Sequence, residues 1–507
     1  MKILLNNQNS PSQMKLGAAI SYTTVAFNAL AGLIYTPWMI SCIGADNYGL
    51  YTLALSVVNF FLMDFGLSNA VSRFMSKYYA EGKGDFVSAF LGMTYKAYLI
   101  IDCVICVVLL AIFFNIDFLY SNLSAGQLTV FKGLFLVIAL YSVLSFPLIP
   151  LNGILVSNER FVALNTCELL QKVSNVLLIV AALLLGADVF ALVAVNASTG
   201  LLFALVKYAY VRVRTKSRAS MKAWDKSLLN EIVCFSGWVT LAQVCQRMIF
   251  SIMPSIIAMM SCASEVALFG LASSLEGYVY SVANVLNGMF MPKVSRALAS
   301  PDKDELQRIA SRYGRIQLFV VGLLIIGFIC AGKEFVSCWM GDKYLILWEC
   351  TLLLIAPGLI ELPQLVANTA IVASNQVKYK AYIFLVMAMV NLLFGILLSG
   401  QFGALGACIS ICVAYCFRTL GLNVVYAKKL GIDLKRFFHE VYSRWIPAAV
   451  LTVVVGLVAH SFMPLYGWLS FFVEAAVIIL VYAILIWFLT FNSYEKNLML
   501  SIFRRKK

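Results

Sequence analysis

Charge is scarce in this chain. Only 12% of its 507 residues are Asp, Glu, Lys or Arg, against about 25% in a soluble domain. Histidine is scarcer still: His439 and His460 are the only two. They fall near opposite membrane surfaces, so no histidine-based zinc site or proton relay is assembled. There is no glycine-rich phosphate loop and no nucleophile elbow, so ATP hydrolysis within the chain is not expected. The thirteen cysteines are scattered. Cys103 and Cys106 form a CxxC inside an apolar run with no second pair. Cys408, Cys412 and Cys416 share a helix face as small residues that let helices approach. Neither a metal nor a cofactor is expected.

What is present is apolar surface. Hydrophobic residues make up 62% of the chain, about 314 in all, and the mean hydropathy is +0.89. A soluble core stops growing beyond about 250–300 residues, so this excess excludes a soluble enzyme, a disordered chain and a nucleic-acid-binding domain. A spanning helix needs about 20 apolar residues. The composition therefore supplies about fourteen spans, and the runs are too long and continuous for barrel strands. The expected fold is an all-α polytopic membrane protein. The first apolar run is too long for a signal peptide and has no cleavage site after it, so the N-terminus is expected to stay uncleaved.

Lys and Arg set the orientation. Of 38, 31 fall on alternate connections and two, Lys333 and Lys343, on the opposite ones. Five lie within spans: Lys96, Lys132, Lys172, Arg247 and Arg418. Both termini are expected in the cytoplasm, and the +14 net charge is mainly a topology device. The outer connections are short, the longest running from Asn115 to Gln127. They leave no room for the external catalytic domain of a membrane glycosyltransferase or polymerase.

A short internal repeat divides the chain. Val71-Ser72-Arg73 returns as Val294-Ser295-Arg296, and Cys42, Asp46 and Gly49-Leu50 return as Cys262, Glu265 and Gly270-Leu271, at offsets of 219 to 223 residues. Six helices intervene, so the repeats share one orientation, as in transporters with parallel lobes. The expected organisation is an N-terminal lobe over 1–211, a basic cytoplasmic linker over 212–229 and a C-terminal lobe over 230–427. Two additional helices and a basic tail over 428–507 complete it.

Ionisable groups in hydrocarbon are costly and mark cavities or partners. Asp64, Asp102, Glu168, Lys172, Arg247, Glu276 and Glu361 fall nearest mid-membrane, with Lys96 and Arg418 nearer the cytoplasm. Glu168 and Lys172, at i and i+4, read equally as an intrahelical pair. Glu349 and Glu474 fall near a surface. Arg247 has no acid at i±3 or i±4, so it needs an anion from another helix or from a substrate, and its fork suits phosphate. Pro357-Gly358 and Pro363 bracket Glu361 and are expected to break that helix into a hinge.

The chain resembles the lipid-linked oligosaccharide flippases, of the superfamily that also holds multidrug exporters and the lipid II flippase. The resemblance is carried by Ile43-Gly44-Ala45-Asp46-Asn47-Tyr48-Gly49-Leu50-Tyr51, Asp64-Phe65-Gly66-Leu67 leading to Arg73, and Asn158-Glu159-Arg160-Phe161. It continues in Phe235-Ser236-Gly237-Trp238 and in Gly332-Lys333-Glu334-Phe335 through Trp339-Met340-Gly341. It implies two six-helix lobes with two extra helices. It also implies alternating access and transfer of undecaprenyl-diphosphate-linked sugar to the periplasmic leaflet of a bacterial inner membrane. The implied partners are the lipid-linked oligosaccharide, the bilayer, and assembly proteins such as a polymerase or chain-length regulator. By the same analogy Arg247, with Lys96, Lys172 and Arg418, meets the diphosphate or anionic sugar. Asp64 and Glu361, then Glu276, Asp102 and Glu168, are candidates for binding a proton or sodium. The competing readings are a cation-coupled multidrug exporter, which the acids favour, and a membrane glycosyltransferase or polymerase.

Overall fold

The computed structural model describes residues 10–63, 67–82, 84–215, 217–220, 226–284, 294, 297–298, 302, 304–374, 376–462, 467–491 and 496. Among them there is no strand, as expected of a chain whose backbone must satisfy itself in lipid. The helices are α1 Ser10–Ile43, α2 Ala45–Phe61, α3 Leu67–Ala80, α4 Gly84–Phe114, α5 Ile116–Leu119, α6 Ala125–Ser145, α7 Pro150–Ser157, α8 Phe161–Leu184, α9 Val189–Arg214 and α10 Lys226–Ser251. They continue as α11 Met253–Met260, α12 Ala263–Asn284, α13 Glu305–Met340, α14 Ile346–Ile355, α15 Gly358–Glu361, α16 Leu365–Ala373, α17 Val377–Leu430, α18 Leu434–Tyr442, α19 Trp445–Phe462 and α20 Trp468–Leu485.

Among the described residues eleven helical stretches are long and apolar enough to cross a bilayer, or twelve if Leu434–Tyr442 and Trp445–Ala459 form one bent span. The expected count of fourteen differs for two physical reasons. Helix α2, with 17 residues, is short of a full crossing by itself. Helix α17 has 54 residues, about 80 Å at 1.5 Å per residue, which exceeds two hydrocarbon thicknesses of about 30 Å. It is two runs joined at Gly403, whose φ of 55° and ψ of −129° are non-helical.

The chain forms two compact units, Met1–Gly270 with Leu392–Ala404, and Leu271–Asn391 with Leu405–Lys507. In the first unit the two repeated segments meet. A Cβ on Gly49 would overlap the carbonyl of Ala263, and one on Gly270 would enter the side chain of Thr52. Gly49 thus lets its helix touch the backbone at Ala263, and Gly270 makes room for the Thr52 side chain, the packing that small residues permit in membranes. In the same unit the Glu265 carboxylate caps the break in α17, accepting from the Ala404 N–H at 2.8 Å. The core of this unit is aromatic where α3 meets α4, with Phe74 and Phe90 ring centroids 5.4 Å apart.

In the second unit α13 is the central post. Trp445 Nε1 donates to Tyr482 Oη at 2.8 Å, and Tyr482 donates to the Phe319 carbonyl at 3.0 Å. This relay fastens α19 and α20 to α13, and Gly322 leaves the room that the Trp445 ring fills. The opposite faces of α19 and α20 expose Val450, Val454, Phe472 and Leu480, as lipid-facing helices should.

The contact at Gly49 generates a prediction. Gly49→Val forces two backbones apart and is expected to cost about 1–3 kcal/mol, the usual range for overpacking. It should lower the melting temperature of the detergent-solubilised protein. Gly126→Ala, where a Cβ meets open space, should leave it unchanged.

Candidate functional site

The second unit brings three of the expected residues together. Glu361 ends α15, Glu276 lies on α12, and Arg418 lies on the second run of α17. The Arg418 guanidinium donates to Glu361 Oε2. Tyr280, one turn after Glu276, donates its hydroxyl to the same oxygen at 3.1 Å. Arg418 is 2% exposed, and its guanidinium carbon lies 3.9 Å from the Tyr415 ring centroid and 5.8 Å from that of Phe384. Glu276 is also buried and acts electrostatically on Arg418. One buried guanidinium is thus bonded to one half-buried carboxylate, with a second, buried carboxylate in its electrostatic neighbourhood.

The proline breaks build this site. Pro357 starts α15, and Pro363 sits in a 3₁₀ turn over Leu362–Gln364. Pro363 has no N–H to give the Leu359 carbonyl. That carbonyl instead accepts from the Tyr442 hydroxyl at 2.7 Å. Gln364 Nε2 donates to Asn423 Oδ1 at 2.8 Å, tying the break to α17. Pro357, Gly358 and Pro363 therefore sit in the segment expected to hinge, and Glu361 is its charged end.

The other expected residues occupy the first unit. Arg247 lies midway along the Gly237–Met260 span with its side chain exposed. Among the described residues no acid lies within 4 Å of it. Lys172 is likewise exposed, and Lys96 is half-buried on α4. Asp102 is buried on the same helix. Asp64 lies outside the described residues. Glu168 does not close an ion pair with Lys172. Its partner is Lys207 on α9, at 3.9 Å, because α8 and α9 pack side by side and their facing charges meet more directly than the i, i+4 pair.

Two lysines that count among the cytoplasmic topology charges turn out to be built into the fold. Lys207 donates to Asn152 Oδ1 at 3.0 Å, and Lys380 to Asn368 Oδ1 at 2.9 Å. Each asparagine stands five residues after a helix-breaking proline, Pro147 and Pro363, and the two Pro-x₄-Asn patterns are 216 residues apart. That spacing was the available signal. Lys380 also lies 5.1 Å from the Phe384 ring, which thus meets both Lys380 and Arg418. Glu474, expected near a surface, is 1% exposed.

Long apolar helices, proline-broken spans and a buried arginine bonded to a glutamate within them define a polytopic membrane protein with charged groups among its spanning helices. The chain belongs to the polysaccharide biosynthesis protein family, whose model matches residues 16–298. It is 21% identical over 492 residues to the membrane protein EpsK of Bacillus subtilis (strain 168), covering 93% of this chain and 94% of that protein. Its fold is shared with the lipid II flippase MurJ in an inward closed conformation, with a TM-score of 0.71 and 12% identity over 92% of this chain and 98% of that one. It is also shared with an inward-facing multidrug resistance MATE family transporter of the MOP superfamily, with a TM-score of 0.57 and 13% identity over 84% and 96% of the two chains.

The ion pair and the proline-released carbonyl each predict an outcome. Arg418→Leu leaves the half-buried Glu361 without its cation and is expected to cost up to about 3–5 kcal/mol, the range for a buried pair that loses one partner. The double replacement Arg418→Leu with Glu361→Leu should regain most of that stability in thermal unfolding. Tyr442→Phe removes the hydroxyl donor from Leu359 and should cost about 1–3 kcal/mol. It should also raise amide hydrogen exchange locally, over residues 357–366.

Proposed function

We propose that this protein carries undecaprenyl-diphosphate-linked oligosaccharide repeat units from the cytoplasmic to the periplasmic leaflet of a bacterial inner membrane. It does so by alternating access coupled to a proton or sodium gradient. The observation that carries the reading is Arg247: an exposed guanidinium at mid-span with no acid within ion-pair distance among the described residues. An isolated cation there is costly, and a diphosphate repays the cost through bidentate hydrogen bonds. Family membership supports the polysaccharide side of the reading, and the name of the structurally similar MurJ supports a lipid-linked cargo.

In this reading both termini are cytoplasmic, as the 31 to 2 division of basic residues favours, and fourteen spans form two lobes and a C-terminal pair. Lys96 and Lys172 assist Arg247. Arg418, bonded to Glu361, serves with Glu361 and Glu276 in coupling: when one carboxylate takes up a proton or ion, the guanidinium shifts its allegiance and the broken helix is freed to hinge. Asp64, Asp102 and Glu168 are the remaining coupling candidates. A polymerase and a chain-length regulator would take the delivered units. The second reading, a cation-coupled drug exporter, rests on the same carboxylates and on the MATE-like fold.

Deletion of the gene separates the two. The expected result is loss of surface polysaccharide with undecaprenyl-diphosphate-linked sugar accumulating on the cytoplasmic face. Normal glycan with heightened drug sensitivity would establish the exporter instead. Arg247→Ala is expected to abolish complementation at normal protein levels and Arg247→Lys to restore it in part. Full activity of Arg247→Ala removes it from the site.

A further inference from the structure

In the second unit the two runs of α17 lie side by side in antiparallel register. Ser410 Oγ donates to the Asn391 carbonyl at 2.8 Å, and a Cβ on Gly421 would meet the Ile383 side chain at 2.9 Å. The same register brings the first turn of one run, with Lys378 and Lys380, against the last turn of the other, with Lys428 and Lys429. Four lysines therefore gather at one end of the pair.

Three of them converge. Lys378 Nζ lies 5.2 Å and Lys429 Nζ 4.9 Å from the centroid of the same ring, Tyr379. Lys380 is half-buried beside them; its Nζ donates to Asn368 Oδ1 and lies 5.1 Å from the Phe384 ring. Among the described residues none of the three has an acid within ion-pair distance. Asp433, the first acid after Lys429, is engaged in capping α18, where its Oδ1 accepts the Arg436 N–H at 3.0 Å. The first unit balances its own lysine–asparagine pair internally, with Glu168 3.9 Å from Lys207. A lysine that serves only as a sidedness signal extends into water. Here three cations are drawn onto two rings and one amide, with no anion of the chain to balance them.

Away from this end both runs are apolar and exposed. Tyr382, Leu385 and Met389 follow Lys378 at helical spacing, and Leu420 and Val424 lead up to Lys428, all of them exposed. Each of these lysines thus heads an exposed apolar stripe of its helix. We propose that Lys378, Lys380 and Lys429 bind the phosphate group of a membrane lipid, whose hydrocarbon chain lies along one of the stripes. An ammonium is a compact charge that suits a phosphate oxygen, and basic pockets between spanning helices hold headgroup phosphates. A free phosphate ion would use the lysines alone, whereas a lipid uses the stripe as well. Arg247 belongs to the other unit, and lipid binding here is measured without any transport, so the site stands whether or not the protein carries a lipid-linked sugar.

The test is native mass spectrometry of the full chain in neutral detergent, titrated with phosphatidylglycerol, phosphatidylcholine or undecaprenyl diphosphate. The expected result is one tightly held anionic lipid per chain, with phosphatidylcholine at least tenfold weaker because its own cation competes with the lysines. Affinity should fall at least tenfold in Lys380→Gln and in the double variant Lys378→Gln with Lys429→Gln. It should be unchanged in Lys435→Gln, an exposed lysine of α18. The double variant alters exposed side chains only, so it should fold and decides the matter even if Lys380→Gln does not. Preference for phosphatidylglycerol assigns the site to the bilayer's own lipid, and preference for undecaprenyl diphosphate assigns it to a lipid-linked diphosphate. Equal affinity of the wild type and the double variant overturns the proposal. So does an equal loss in Lys435→Gln, which marks general charge attraction, or displacement of the lipid by inorganic phosphate at equal concentration.

Discussion

In hydrocarbon, a polar group that loses its partner has no water to fall back on. Most of this molecule follows from that constraint. A proline in a span orphans the carbonyl one turn earlier, so every break obliges some other element to supply a donor or leaves a polar spot in the core. At Pro363 the donor is Tyr442. At the Gly403 break the exposed N–H of Ala404 is met by Glu265. The same constraint applied to charge yields the Arg418–Glu361 pair, capped by Tyr280 and backed by two aromatic rings.

The two units answer the constraint differently. In the second, acids and a base are concentrated at a broken helix and nearly neutralise one another. In the first, Glu168 and Lys207 pair, whereas among the described residues Arg247 and Asp102 have no ion-pair partner, one exposed and the other buried. A protein that held these groups for stability alone would do better with apolar side chains of the same volume. Their retention is intelligible if the partners are things that come and go.

Much of the fold was legible because hydropathy is an additive property of local sequence. The apolar spans and their proline breaks needed no knowledge of the tertiary structure. Gly49 and Gly270, which the sequence comparison of the two halves singles out, proved to mark close contacts. Pairing was not legible. Glu361 and Arg418 are 57 residues apart, and with several intramembrane acids and bases no sequence rule chooses among partners. Local spacing even pointed wrongly for Glu168, because a neighbouring helix brings Lys207 closer than the same helix brings Lys172. Lys207 and Lys380 were hidden for another reason: a lysine at a span end is ordinarily a topology signal, and only its angle about the helix axis shows that it turns inward onto an asparagine.

The donor to the broken helix sits on α18, a nine-residue helix with Phe437 and Val441 buried beneath it and Lys435, Arg436, His439 and Glu440 along it. The hydroxyl that steadies the break is therefore carried by a short two-faced helix and not by one of the long spans. Whatever tilts that helix takes the donor away from the Leu359 carbonyl, so the strength of the break is set from outside the broken segment itself.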